Sequence, residues 1–210
     1  MSEGTVTLFH SPNTRSLSVL TLLEELQVPY EVELMDRKSG ALQKPEFLAI
    51  NPLGKVPALR DEDGEVVTEQ VAILLHLADL FPRAGLAPQI GEPARGPYLR
   101  WMVFYAACFE PALVDHALQR PAGPRGMSPY GEYDTVMGTL LTALGAGPYL
   151  LGEDFSAVDV LWGTALEWTS KFKMVPEVLA ITDYVARLIE RPGFVRAREK
   201  DAAYAAQLAV

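Results

Sequence analysis

Apolar and polar positions change their period along the chain, and the changes mark its elements. "TVTLFH" (5–10) alternates polar with apolar residues, the period of a half-buried strand. From 15 to 28, "RSLSVLTLLEELQV" places Leu17, Leu20, Leu23 and Leu26 at near-helical spacing, which predicts a helix with its acids outward. "PYEVELMD" (29–36) predicts a second strand. A strand–helix–strand unit of this length implies two parallel strands joined by a right-handed crossover. "VPAL" and "EVVT" flank the turn signal "DEDG" and read as a hairpin. A helix follows over 69–81, ending near Phe81–Pro82. This order suits a small mixed sheet with helices packed on it.

Residues 83–92 are rich in Pro and Gly and read as a linker between a domain over 1–82 and another over 93–210. Beyond the linker only helices are predicted: a long one around Pro97, bent near Pro111, one in "YGEYDTVMGTLLTAL", and one over 176–191. A short last helix follows Pro192–Gly193. The sharpest local signal is "FSAVDV" (155–160), in which Ser156 caps a helix, Asp159 reaches back to it, and Phe155 packs on Val160.

Composition narrows the function classes. The chain has 210 residues, enough to bury a core, and a formal net charge of -9. With no Lys/Arg cluster, an acidic chain is poorly suited to nucleic acid or an anionic membrane. No apolar run approaches the roughly 18 residues that span a bilayer, and "MSEGTVTLFH" does not read as a secretory signal. The single cysteine, Cys108, excludes a disulfide within the chain and a cysteine zinc site. The expectation is a cytoplasmic protein without a metal.

Three segments carry candidate chemistry. "HSPNTRS" (10–16) gathers Ser11, Asn13, Thr14 and Arg15 on the turn between the first strand and helix. "NPLGKVPAL" (51–59) puts a Val-Pro pair at a strand start, where a cis peptide would present the preceding backbone to an extended peptide. A plain turn into an edge strand fits the same letters. "TEQVAI" (68–73) opens a helix, whose free N–H groups favour a carboxylate, while Glu69 can accept from an ammonium group. Glu69 can equally serve only to complement the helix dipole.

Together, "INPLGKVPAL", "TEQVAILLHLADLF" and "FSAVDV", in this order, resemble the signatures of the glutathione S-transferase superfamily, and the resemblance covers nearly the whole chain. It implies an α/β thioredoxin-like N-terminal domain, an all-α C-terminal domain, glutathione as co-substrate, a small electrophilic acceptor and a homodimer. By matching position, Val56 would bond the cysteinyl backbone of glutathione, with Pro57 cis. Glu69 and Gln70 would hold the γ-glutamyl end; Gln70 stands where the family usually has Ser, so its amide or its backbone N–H would make the contact. Lys55, with Lys38 or Lys44, would meet the glycyl carboxylate or remain a solvated surface.

The implied chemistry needs a thiolate, and a thiol of pKa about 8.5 is only a few per cent ionised at neutral pH. Ser11 holds the place of the serine of the theta-like bacterial branch, and Asn13 that of the turn asparagine of the nu-like branch. The two are rivals for the sulfur, with Thr14 third. Arg15 is a family-typical turn residue or a salt-bridge partner of the C-terminal domain. The turn lacks Cys, which a beta-like enzyme forming its own mixed disulfide would want, and lacks Tyr. Cys108 reads as a small buried hydrophobe, and His10 as polar lining. Tyr105 and Phe109 would line the acceptor pocket or pack the core. The activity expected is conjugation; glutathione-dependent disulfide or peroxide reduction, and a non-catalytic binding protein on the same fold, are the alternatives.

Overall fold

The computed structural model describes residues 5–121 and 123–209; residues 1–4, Ala122 and Val210, which fall in the two predicted domains, lie outside it. The chain divides into two units, Met1–Ala84 with Glu190–Val210, and Gly85–Ile189.

The first unit is built on a four-stranded sheet of order β2-β1-β3-β4. β1 (Val6–His10) pairs parallel with β2 (Tyr30–Leu34), and the register sets Leu8 beside Val32. β3 (Ala58–Arg60) runs antiparallel to β1, and β4 (Val66–Thr68) closes the hairpin. Between β1 and β2 the chain crosses through α1 (Ser16–Leu26); α2 (Pro45–Leu48) precedes β3, and α3 (Gln70–Leu80) follows β4. This is the small mixed sheet that the alternating periods predict, in the thioredoxin-like arrangement that the family resemblance implies. On one side of the sheet Phe9, Met35, Phe47 and Ala58 form an apolar cluster.

Two features of this unit depart from the pattern. The last helix, α9 (Pro192–Gln207), expected in the helical half, packs on α1 in the first unit. In consequence the acids of α1 do not face outward. Glu24 is 6% exposed and accepts from Arg196 Nε at 2.7 Å, Lys200 Nζ at 2.5 Å and the Tyr30 hydroxyl. Glu25 takes a bidentate contact from Arg191, at 3.2 and 2.8 Å. A helix covered on several sides needs apolar residues nearly all round, and α1 has them in Val19, Leu20, Leu22, Leu23 and Leu26.

The second unit is helical: α4 (Arg95–Phe104), α5 (Glu110–Ala117), α6 (Tyr133–Leu144), α7 (Ala157–Lys171) and α8 (Leu179–Ile189). The bend expected near Pro111 takes the form of a π turn over Tyr105–Phe109, in which the Glu110 N–H reaches back to the Tyr105 carbonyl. Pro111 has no N–H to give, so the ladder shifts by one residue just before it. At α7 the capping box forms between Ser156 and Asp159. Asp159 is fully buried and also accepts from Leu150 N–H at 2.9 Å and the Tyr184 hydroxyl at 2.8 Å. Trp162 centres the core, with the rings of Trp101, Tyr105 and Phe109 around it. Among the described residues no helix is long and apolar enough to cross a membrane.

Candidate functional site

Where β1 gives way to α1, the chain turns through Ser11, Pro12, Asn13, Thr14 and Arg15. Asn13 sits at φ 57°, a left-handed conformation that asparagine adopts more readily than most residues. Its N–H donates to Asp201 Oδ2 of α9 at 3.2 Å. Ser11 is held through its backbone: its N–H points to Ser16 Oγ at 3.3 Å, and its carbonyl accepts from Thr14 Oγ1 at 2.7 Å. Thr14 is therefore engaged within the turn and serves its geometry. Among the described residues nothing engages the Ser11 hydroxyl or the Asn13 side-chain amide.

Ser11, Pro12 and Asn13 form one wall of a cavity of about 350 Å³. Asp36, Arg37 and Lys38, just past β2, line it too, as do Ala205, Leu208 and Ala209 at the end of α9. Asp36 is committed to the loop, its carboxylate accepting from the Lys38 and Ser39 N–H groups at 2.8 and 3.1 Å. The two cations beside it have no partner among the described residues. The cavity lining thus combines uncommitted neutral donors, two positive charges beside the Asp36 carboxylate, and the apolar side chains of Ala205, Leu208 and Ala209. Lys44, beginning α2, is exposed and is not among its lining residues.

The "NPLGKVP" segment is organised by Asn51, which is 3% exposed. Its Nδ2 donates to the Lys55 carbonyl at 2.8 Å, and its Oδ1 accepts from the Leu53 N–H at 3.1 Å. Gly54 turns the chain at φ 61°, where a Cβ would lie 2.9 Å from the Leu42 carbonyl oxygen. Val56–Pro57 is cis, and β3 begins at the next residue. Lys55 projects into solvent.

At α3, Glu69 occupies the N-cap with φ 67°; the residue is exposed, and its carboxylate has no partner among the described residues. Of the two contacts expected of Gln70, the side-chain one is already engaged. Its side-chain amide does not point outward for a carboxylate but donates to Ser18 Oγ at 2.7 Å and, more weakly, to the Arg15 carbonyl at 3.4 Å. That bond ties the N-termini of α1 and α3 together and leaves the Gln70 backbone N–H, in the first turn of α3, as the group able to meet an anion.

Other candidates are placed elsewhere. Tyr105 and Phe109 are 4% and 1% exposed and pack on Trp162 with centroid separations of 5.4 and 4.8 Å, so core packing accounts for both. Cys108, read as a buried hydrophobe, is half-buried in the π turn. His10 does not line the cavity; it lies fully buried beneath the turn. Sequence reasoning missed Asn51, Ser16, Arg37 and Asp201. The "NP" of the loop is a local turn signal for Asn51. Asp201 has no such signal, because it meets the turn across 188 residues of sequence.

Comparison with known proteins bears on this geometry. The family described as "Glutathione S-transferase, N-terminal domain" matches residues 4–79. Glutathione S-transferase GstA of Escherichia coli O157:H7 is 28% identical over 189 residues, 88% of this chain and 93% of its own length. Disulfide-bond oxidoreductase YfcG of Escherichia coli is 27% identical over 200 residues, covering 89% and 91%. Among solved structures, a glutathione transferase from Methylococcus capsulatus superposes with a TM-score of 0.78 at 29% identity, over 94% of this chain and 99% of that one. A sphingomonad glutathione S-transferase complexed with glutathione gives 0.76 at 29% identity, over 93% and 98%. Glutathione S-transferase 3 of Zea mays is 31% identical over 160 residues, 71% of this chain and 70% of the maize protein. On its sequence motifs, its fold and this kinship, the chain belongs to the glutathione S-transferase superfamily.

Proposed function

We propose that this protein is a glutathione transferase that binds glutathione in the first unit and activates its thiol at the Ser11–Asn13 turn. The observation that carries the reading is the cavity wall itself: the Ser11 hydroxyl and Asn13 amide are uncommitted donors beside a cavity of about 350 Å³. Other segments of the first unit, which apart from Lys38 do not line that cavity, carry groups matched to a zwitterionic tripeptide. The Glu69 carboxylate would accept from the γ-glutamyl ammonium, and the start of α3, through the Gln70 N–H, would take its carboxylate. The Val56 backbone would pair with the cysteinyl residue, and Lys55 or Lys38 would meet the glycyl carboxylate.

The role of the turn is electrostatic. Moving a thiol from pKa 8.5 to about 6.5 stabilises the thiolate by about 2.7 kcal/mol relative to the thiol. Two hydrogen bonds to a charged acceptor, at about 1.5 kcal/mol each, supply that. Ser11 ranks slightly ahead of Asn13, and both donate in this reading. The sulfur then forms a bond to the electrophilic carbon of the acceptor as the leaving group departs with its electron pair.

Calorimetric titration with glutathione and a conjugation assay with an activated aryl halide test the reading directly. Heat of binding and turnover are expected; neither heat nor turnover would sink it. A second reading, reduction of disulfides with glutathione as the only thiol, is favoured by the kinship to YfcG, whose name describes a disulfide-bond oxidoreductase. Parallel assay of a disulfide and an aryl halide separates the two. The family's homodimeric assembly is expected here too, and light scattering on the purified protein reads it.

A further inference from the structure

Beneath the turn lies a buried polar set that the proposed chemistry does not use. His10, at the end of β1, and Ser16, at the start of α1, are both 0% exposed; Asp201, on α9, is 6% exposed. His10 Nδ1 lies 2.8 Å from Ser16 Oγ. Its Nε2 lies 3.0 Å from Asp201 Oδ1, close enough for an ion contact but without hydrogen-bond alignment. The other oxygen of Asp201 takes the Asn13 N–H. The Tyr204 ring, also on α9, packs against the imidazole at 5.6 Å.

Ser16 Oγ is the hub of this set. Besides His10 it meets Thr14 Oγ1 at 2.7 Å, the Ser11 carbonyl at 3.1 Å and the Ser11 N–H at 3.3 Å. A hydroxyl has one hydrogen to donate and two lone pairs. If that hydrogen goes to His10 Nδ1, then Nε2 carries the imidazole proton and faces Asp201. If His10 carries both protons, the Ser16 hydrogen turns to the Ser11 carbonyl. In either arrangement the Ser11 N–H rests on Ser16 and the Asn13 N–H rests on Asp201. The backbone of both sulfur-facing residues is therefore fixed from below by side chains that touch no substrate.

We infer that Asp201 is a positioning residue for the thiol-activating turn, so that α9 sets the aim of Asn13 through its backbone N–H. The inference rests on the glutathione reading. Aim matters because a misplacement of about 1 Å at a reacting group can cost about a hundredfold in rate. The sign of the effect separates aim from charge. Asp201 is an anion beside the site, so deleting it by charge alone would lower the pH at which the bound thiol ionises. Loss of aim raises it.

The experiment compares wild type, Asp201→Ala, Asp201→Asn and Asp201→Glu, each with glutathione bound. It reads the thiolate by its ultraviolet absorption across pH, the glutathione affinity by calorimetry, and folding by circular dichroism. Asp201→Ala is expected to raise the ionisation midpoint by about one pH unit, a tenfold loss of thiolate well below the midpoint, with affinity changed less than about threefold. Asp201→Asn keeps an oxygen for the Asn13 N–H and is expected to return the midpoint to within about 0.3 unit of wild type. Asp201→Glu keeps the charge but displaces the oxygens by a methylene, and is expected to raise the midpoint. If Asp201→Ala does not fold, the last two variants carry the test. A midpoint that falls in Asp201→Ala, or that stays unchanged in both Asp201→Ala and Asp201→Glu, overturns the inference while the glutathione reading stands. Absence of glutathione binding by the wild type overturns both.

Discussion

Replacing Glu24 by glutamine removes one charge from between α1 and α9 and leaves Arg196 and Lys200 facing a neutral amide. Breaking one partner out of a fully buried ion pair costs about 3–5 kcal/mol, whereas an exposed pair contributes about 0–1 kcal/mol. This cluster lies between those limits: the Glu24 side chain is 7% exposed, but Arg196 and Lys200 are 41% and 45% exposed and can regain water. The amide oxygen also keeps one acceptor. The expected loss at pH 7 is therefore about 1–2 kcal/mol, discounted for that solvent access. For a chain of this size that is a fall in Tm of about 2–8 °C. Burial pushes the Glu24 carboxyl up, but hydrogen bonds from Lys200, Tyr30 and Arg196 outweigh it and hold it below its ordinary value of 4.5. A carboxyl lowered by folding contributes stability that is complete above its unfolded pKa and is lost as pH falls through the folded one. The gap between wild type and Glu24→Gln should accordingly be full at pH 7 and begin to close below about pH 4.5. Urea unfolding followed by circular dichroism, from pH 7 to pH 3, measures it. Equal midpoints at pH 7, or a gap that stays constant into acid, would refute the assignment of Glu24 as a charged tie between α1 and α9.

Other substitutions probe the remaining parts. Asn51→Ala strips the Lys55 carbonyl and the Leu53 N–H of their partner; a loss of about 2 kcal/mol and a raised KM for glutathione are expected from thermal melts and steady-state kinetics. Gly54→Ala puts a Cβ against the Leu42 carbonyl at a left-handed φ, and a melting curve should show at least about 1–2 kcal/mol lost. Asp159→Ala leaves the Leu150 and Ser156 N–H groups and the Tyr184 hydroxyl buried without an acceptor, so chemical denaturation should register about 3 kcal/mol or more.

How much of this was legible in the sequence depends on range. Period and turn chemistry are local, and they placed the strands of the sheet, the crossover helix, the hairpin and the capping box at Ser156–Asp159. The outward face assigned to Glu24 and Glu25 failed because α9 and its N-cap Arg191 come from 166 to 176 residues away, and Arg191, Arg196 and Lys200 cover them. Helical periodicity at α1 says which positions are apolar, not how many neighbours the helix has. Pro111 signalled an interruption, but the local letters do not distinguish a bend from a π turn. The candidate site was readable as segments, because each grip proposed for the tripeptide comes from one short motif. What supports those segments was not: the Gln70 amide is drawn to Ser18, and Asp201 meets Asn13, through pairings that only the folded chain brings together.

The central claim is that the turn between β1 and α1 ionises the glutathione thiol. Its most direct test is the pH midpoint for thiolate formation of bound glutathione, read by ultraviolet absorption in wild type, Ser11→Ala and Asn13→Ala. The wild-type midpoint is expected at least about one unit below that of free glutathione, moved upward by about one unit in each variant as one charge-assisted hydrogen bond is lost. A wild-type midpoint equal to that of the free thiol, or no shift in either variant while glutathione still binds, would contradict it.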